Sequence, residues 1–158
     1  MRIHIVAVGQ RAPAWVQAGF EHYAQRLPAA LRPRLQHIPL ARRADKSTRS
    51  SQRARDEEGQ RILKRLPLAA HVVALHVAGT GWSTRQLCER VKLWQRAGRD
   101  VYFVIGGPDG LSGACLERAD ELWSLSALTL PHALVRVVLA EALYRAWSID
   151  AGHPYHRE

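Results

Sequence analysis

Apolar positions along this chain fall into two alternating rhythms. Ile3–Val8 is a short, β-branched run ending at Gly9, and it predicts a buried strand. Trp15, Val16, Gly19, Phe20, Tyr23 and Leu27 then recur at helical spacing. Pro13 suits the first turn of that helix, and Pro28 and Pro33 close it. Arg34–Ile38 predicts a second strand, with only fair alternation. His71–Val77 is strongly β-branched and predicts a central strand, followed by a turn at Gly79-Thr-Gly81. Ser83 and Gln86 have the spacing of a capping box, and Leu87, Val91 and Trp94 give the next helix its apolar stripe as far as Gly98. Val101–Ile105 predicts another central strand, entering Gly106-Gly-Pro-Asp-Gly-Leu111. Ser112 can cap a short helix through Ala119, Leu122–Ser126 predicts a last strand, and Leu128-Thr-Leu-Pro-His132 leads into a long helix ending near Ile149. Strands alternating with helices throughout predict an α/β fold with a mostly parallel sheet and helices on both faces.

The last helix departs from the usual one-sided stripe. Leu134, Val135, Val137, Val138, Leu139, Leu143, Ala146, Trp147 and Ile149 wrap much of its circumference, so it is buried on most sides. In a chain this small, that points to burial against a second subunit; a central core helix is the simpler alternative.

Length and composition narrow the class. The chain has 158 residues, 47% of them hydrophobic and 23% charged, which fits a single globular domain over 1–158 with a real core. Lys and Arg number 23 against 14 Asp and Glu, a formal net charge of +9, and all the basic residues except Lys46, Lys64 and Lys92 are arginine. This excess favours a polyanionic partner, and arginine's planar fork favours nucleic acid over an acidic membrane. A GC-rich genome accounts for the arginine preference equally well, but not for the net charge. The excess is concentrated: between 42 and 65, nine basic residues face Asp45, Asp56, Glu57 and Glu58 alone. The stretch Lys46-Ser-Thr-Arg-Ser-Ser51 has loop composition, and the remainder predicts a helix with Ile62, Leu63 and Leu66 facing inward. A solvated helix face and an RNA-facing patch both fit this segment.

Two cysteines, Cys88 and Cys115, stand in unrelated segments, which argues against a disulfide scaffold and for a reduced, cytoplasmic protein. The apolar run at the N-terminus is too short for a signal peptide, and no stretch is long and apolar enough for a membrane span. His153 and His156 form a possible metal pair without a third ligand nearby, so no metal is expected.

In open parallel sheets, ligands bind beyond the carboxyl ends of the strands. Three loops are candidates: Gly79–Trp82, Gly106–Leu111 and Ser126–His132. Adjacent glycines at 106 and 107 let backbone approach a ligand closely, although a plain turn uses the same residues. Gly9-Gln-Arg-Ala-Pro13 after the first strand contains no G-x-G-x-x-G, which counts against a Rossmann dinucleotide site and against the common glycine-rich methyltransferase fold.

Several segments together carry a specific resemblance. Val101-Tyr-Phe-Val-Ile-Gly-Gly-Pro-Asp-Gly-Leu111, Trp123-Ser-Leu-Ser-Ala-Leu-Thr-Leu-Pro-His132, Leu143-Tyr-Arg-Ala-Trp-Ser-Ile149 and His153-Pro-Tyr-His-Arg-Glu158 resemble the ribosomal RNA large subunit methyltransferase H family of the SPOUT class. Ile5-Val-Ala-Val-Gly9 and Pro13-Ala-Trp-Val-Gln-Ala-Gly-Phe20 fit as well. The match spans the chain and is weakest over 39–56, where residues have been added.

The resemblance implies an α/β knot fold with a C-terminal trefoil knot, in a homodimer. It implies methylation of N3 of a pseudouridine in large-subunit rRNA on the assembled ribosome, with S-adenosylmethionine as donor. Carried over by motif, the cofactor site comprises Leu75, Gly107, Ser126, Ala127, Leu128, Thr129, Leu130 and Pro131. Tyr155, His156 and Arg157 of the matching tail are the candidate catalytic groups, closing over the site beside the partner subunit's cofactor. Arg136 and Arg145 are candidates to hold the tail or an RNA phosphate, with a structural role equally open. A non-catalytic ribosome-binding or assembly factor and a SPOUT enzyme acting on tRNA are the rival expectations.

Overall fold

The computed structural model describes residues 1–9 and 12–156. Five strands form one sheet in the order β2-β1-β4-β3-β5, and every pairing in it is parallel. The elements run β1 (Ile3–Val8), α1 (Ala14–Ala24), β2 (Arg34–Ile38), α2 (Thr48–Leu63), β3 (His71–Gly81), α3 (Thr84–Ala97), β4 (Val101–Ile105), α4 (Gly113–Arg118), β5 (Glu121–Ser124) and α5 (His132–Asp150).

The sheet is buried on both faces, as unbroken apolar strands require. Ile3, Ile5 and Ala7 of β1, Val73 of β3 and Phe103 of β4 face a core shared with α1, α3 and α5. Val6, Val8, Val72, Ala74, Tyr102 and Val104 face the opposite core, which Ile62 of α2 and Cys115 close. Cys88 and Cys115 are both free and buried. Among the described residues no helix is long and apolar enough to cross a membrane.

The predicted capping box is present: Ser83 Oγ accepts from Gln86 N, and Gln86 Oε1 accepts from Ser83 N. Three expectations are revised. First, α2 begins at Thr48, inside the stretch whose composition reads as loop. Ser47 caps it by accepting from Ser50 N at 3.1 Å, so the serines that weaken a helix interior start one here. Second, Gly79-Thr-Gly81 does not turn the chain. It belongs to β3, where Leu75 and Thr80 both pair with Trp123 of β5, so residues 76–79 bulge from the ladder. A Cβ on Gly79 would lie 2.7 Å from the backbone of Leu122 and Trp123; the glycine serves close strand approach rather than reversal. Third, the last strand is shorter than predicted and ends at Ser124.

The long helix α5 lies on the sheet between α1 and α3. Leu139, Ala140, Leu143, Tyr144 and Ala146 are buried within the chain, while Leu134, Val137, Val138 and Trp147 remain half-buried. Intramolecular packing thus accounts for one side of the helix and covers the other only in part.

Candidate cofactor cavity and C-terminal tail

Parallel topology brings the carboxyl ends of β3, β4 and β5 together, and a cavity of about 400 Å³ opens there. Its volume lies within the range of small-molecule sites. Leu75, His76 and Val77 form one wall, Ile105–Leu111 a second, and Trp123–Ser126 with Leu128, Thr129 and Leu130 a third; His132 and Val135 from the start of α5 complete it.

The wall from β4 is a tight backbone turn. Gly107 and Gly110 form a bridge, with Gly110 N donating to Gly107 O at 3.0 Å. Side chains are excluded there for steric reasons. A Cβ on Gly106 would meet the Gly110 carbonyl carbon at 2.6 Å, and one on Gly107 would meet Val8 Cγ1 at 2.9 Å and Glu58 Oε2 at 3.1 Å. The third wall is held by its own serines: Ser124 Oγ donates to Ser126 O, and Ser126 Oγ accepts from Leu128 N. Val77 and Leu128 are 74% and 73% exposed. The cavity therefore combines an apolar rim with backbone donors and acceptors at the strand ends, an arrangement that suits a ligand with an aromatic base and a polar, charged portion.

The glycine turn is braced from behind by α2. Glu58 is only 1% exposed and accepts from Ala41 N at 2.9 Å. Arg43 Nε donates to Asp109 Oδ2 at 2.8 Å, and its Nη1 lies 3.4 Å from Glu58 Oε1. The bond to Asp109 and the two carboxylates hold the Arg43 guanidinium above its ordinary pKa. One arginine thus ties the lead-in to α2, a buried carboxylate of α2 and the cavity turn together.

Arg136 is 2% exposed, and its Nη2 donates to Val8 O and Gly9 O at the carboxyl end of β1. Burial pulls the pKa of this guanidinium down, and its Nε and Nη1 have no partner among the described residues. Arg145 instead pairs with Glu141.

Of the residues expected at a cofactor site, Leu75, Gly107, Ser126, Leu128, Thr129 and Leu130 all border this cavity. Ala127 and Pro131 are exposed and outside its wall; Pro131 occupies the N-cap position of α5. The loop Gly79–Trp82 does not border it either; β3 contributes 75–77 instead. Trp123, His132 and Val135 are cavity residues that spacing alone does not mark. The tail residues lie elsewhere on the same chain. The Tyr155 hydroxyl donates to Glu141 Oε1 at 3.1 Å, its ring sits 4.7 Å from that of Tyr144, and Arg26 and Arg145 each lie 5.0 Å from its centroid. Burial, followed by hydrogen bonding with Tyr23, pushes the Tyr155 phenol up to about 12. Neither ring nitrogen of His156 has a partner among the described residues, and Arg157 lies outside those residues. Among the described residues, no group of three His, Cys, Asp or Glu is placed to hold a metal ion.

A fully parallel sheet with a glycine-walled cavity at its carboxyl edge defines a cofactor-binding α/β protein. Residues 1–156 match the family described as predicted SPOUT methyltransferase, and the chain belongs to that family of methyltransferases. It is 50% identical over 158 residues to a Hahella chejuensis protein named ribosomal RNA large subunit methyltransferase H, covering all of both chains. A Saccharophagus degradans protein of the same name is 53% identical over 157 residues, covering 99% of this chain and all of that one. Two solved structures share the fold. One is a probable methylase family protein from Haemophilus influenzae Rd KW20 (TM-score 0.56, 13% identity, 99% of this chain and 70% of that one). The other is a probable methyltransferase from Bordetella pertussis Tohama I (TM-score 0.54, 14% identity, 92% of this chain and 95% of that one).

Proposed function

We propose that this chain methylates large-subunit ribosomal RNA with S-adenosylmethionine, at N3 of a pseudouridine in the assembled ribosome, as a cytoplasmic homodimer with a C-terminal trefoil knot. The observation that carries the reading is the glycine-walled cavity at the carboxyl edge, in a chain half identical along its full length to a protein named ribosomal RNA large subunit methyltransferase H. S-adenosylmethionine, when bound, supplies a methyl group on a positively charged sulfur, open to in-line displacement. The residues present fit it: Leu75, Val77, Leu128 and Leu130 offer apolar cover for an adenine ring, Gly106, Gly107 and Gly110 bring bare backbone to the wall, and Asp109, Ser124 and Ser126 add polar side chains beside it.

The chain's own contribution is orientation and management of one proton on the ring nitrogen. Tyr155 holds its proton far above neutral pH and donates to Glu141, so it orients rather than accepts. His156, with no hydrogen-bond partner among the described residues, is the proton acceptor in this reading, and Arg157 stabilises negative charge developing on the base. The tail packs on α5 and α1, outside the walls of its own cavity; that supports closure over the cavity of a second copy. The half-buried side of α5 supports the same pairing. The knot is supported by the path of the chain, which leaves β5 at the sheet edge and returns through α5 to β1, where Arg136 bonds Val8 and Gly9.

The test is to incubate labelled S-adenosylmethionine with tRNA, free rRNA and whole ribosomes, using the full chain and a deletion of 153–158. Methylation of ribosomes alone is expected, with the deletion abolishing transfer and sparing cofactor binding. Methylation that survives the deletion removes the tail from the mechanism; labelling of tRNA alone overturns the substrate. A ligand at about 100 times its Kd adds roughly 2.7 kcal/mol to stability, so absence of any thermal shift with the cofactor favours a non-catalytic ribosome-binding factor.

A further inference from the structure

The geometry points to the exposed face of residues 42–53 as the surface that takes the RNA phosphate backbone, with Arg43 as the positioning residue that fixes this surface against the cavity turn. The inference rests on the reading of the chain as an RNA methyltransferase and adds where the RNA is held.

Four cations carry it. Arg42, Lys46, Arg49 and Arg53 are exposed, and none has an ionic or hydrogen-bonding partner among the described residues. Elsewhere Arg90 pairs with Glu121, Lys92 with Glu89 and Asp150, Arg118 with Asp120, and Arg145 with Glu141; the exposed Arg2, Arg34, Lys64, Arg65 and Arg96 lie where β1 and β2 begin or where α2 and α3 end, at the edge of the sheet away from the cavity. On the same segment, Asp45 is occupied by its hydrogen bond from Ser47 N and Glu57 by Arg61, leaving Asp56 as the nearby carboxylate. Arg49 and Arg53 are one helical turn apart and share a face.

Topology puts these charges at the correct edge. The chain leaves β2 at Ile38, so 39–47 lies at the carboxyl edge of the parallel sheet, where β4 releases the cavity turn. Arg43 makes the connection physical through Asp109 and Glu58, and Ser50 Oγ accepts from Ala44 N at 2.9 Å to hold the lead-in against the helix. A bound backbone would therefore be held in fixed register with the cavity. The ligand class follows from composition. Residues 42–53 contain no large apolar side chain, as insertion into a membrane or a protein-binding hot spot requires, whereas arginine forks suit phosphate oxygens.

The experiment compares wild type with Arg42→Ala/Lys46→Ala/Arg49→Ala/Arg53→Ala, and with a rescue variant carrying Lys at 42, 49 and 53 in place of Arg. Affinity for large ribosomal subunits is measured across a salt series, cofactor Kd by calorimetry, and methylation against ribosome concentration. The alanine variant is expected to keep its cofactor Kd and its kcat while KM for ribosomes rises at least tenfold. The log–log salt slope should become shallower by about 3, at roughly 0.7 per lost contact to single strands. The lysine variant should keep the wild-type slope. A separate Arg43→Gln variant should weaken cofactor binding and leave the salt slope within about one phosphate contact of wild type. An unchanged slope and KM in the alanine variant overturns the surface, as does a fall in kcat at unchanged slope. An unchanged cofactor Kd in Arg43→Gln overturns the positioning role. If wild type methylates nothing but the alanine variant still loses its salt slope, the docking surface stands and the enzymatic reading falls.

Discussion

Replacing Gly59 by alanine separates two opposing effects. Gly59 lies in the interior of α2, where glycine is less favourable than alanine by about 1 kcal/mol. Propensity alone therefore makes Gly59→Ala stabilising. The packing says otherwise: a Cβ there would lie 2.1 Å from Ser112 Oγ and 2.8 Å from Ser112 Cβ. Ser112 cannot swing away without cost, because its hydroxyl caps α4 by accepting from Cys115 N at 3.3 Å. The helix must move off the turn or the cap must break, and overpacking of this kind costs about 1–3 kcal/mol, with loss of the cap adding about 1. The net expectation is destabilisation by about 2 kcal/mol, or a Tm lower by about 4–8 °C for a chain of this size. Because α2 braces the cavity turn, cofactor affinity should fall with it. Urea denaturation of Gly59→Ala, Ser112→Gly and the double variant forms a double-mutant cycle. Ser112→Gly removes both clashing atoms and costs only a few tenths of a kcal/mol as a cap replacement, so the double variant should recover most of the loss. A Gly59→Ala protein as stable as wild type, or a double variant with purely additive losses, refutes the reasoning.

Three further predictions follow from the same contacts. Gly107→Ala would place its Cβ against Val8 and Glu58 and should weaken cofactor binding at least tenfold by calorimetry; unchanged affinity would separate the turn from the site. Arg136→Ala removes a donor from the Val8 and Gly9 carbonyls, the second of which keeps His37 Nδ1 at 3.1 Å, and opens a cavity beneath α5, for an expected loss of about 2–4 kcal/mol in urea denaturation. The raised phenol pKa of Tyr155 means the folded state keeps a proton that the unfolded state loses, so its stabilisation is complete below pH 10 and disappears as pH rises toward 12. Burial also raises the Tyr102 phenol, so tyrosinate absorbance should show late-titrating phenols of which Tyr155→Phe removes one; a titration unaltered by that substitution would contradict the burial.

The order of elements is written in the periodicity. Two of the buried strands, Val101–Ile105 and Ile3–Val8, have the bounds their β-branched runs predict, because a strand covered on both faces is apolar at nearly every position; the exception in β1, His4, is buried by stacking on Tyr102. The capping box at Ser83 and the cap at Ser112 were equally local and equally legible. The start of α2 was not, since a run of serines beside cations reads the same whether it caps a helix or forms a loop until the following turn packs. Nor was Gly79, where the choice between turn and strand depends on Trp123, forty-odd residues further along the chain. The candidate site divides in the same way. The glycine turn and the 126–130 loop carry visible motifs, whereas Trp123, His132 and Val135 reach the cavity only through the stacking of strand ends.

By itself, then, the sequence determined an alternating α/β chain, an excess of arginine concentrated in one segment, and the motifs that mark its family. The tertiary structure alone decided what that segment is attached to. Arg43 and Asp109 are 66 positions apart, and Glu58 and Gly107 nearly 50. No local pattern records these pairs, because parallel pairing of β2, β1 and β4 is what brings their following loops to one edge. The same pairing leaves Arg42, Lys46, Arg49 and Arg53 in solvent, without an ionic partner among the described residues, while it turns Arg43 inward. Periodicity sets which residues are buried; which buried charge meets which loop is set by strand order, and strand order is a property of the whole chain.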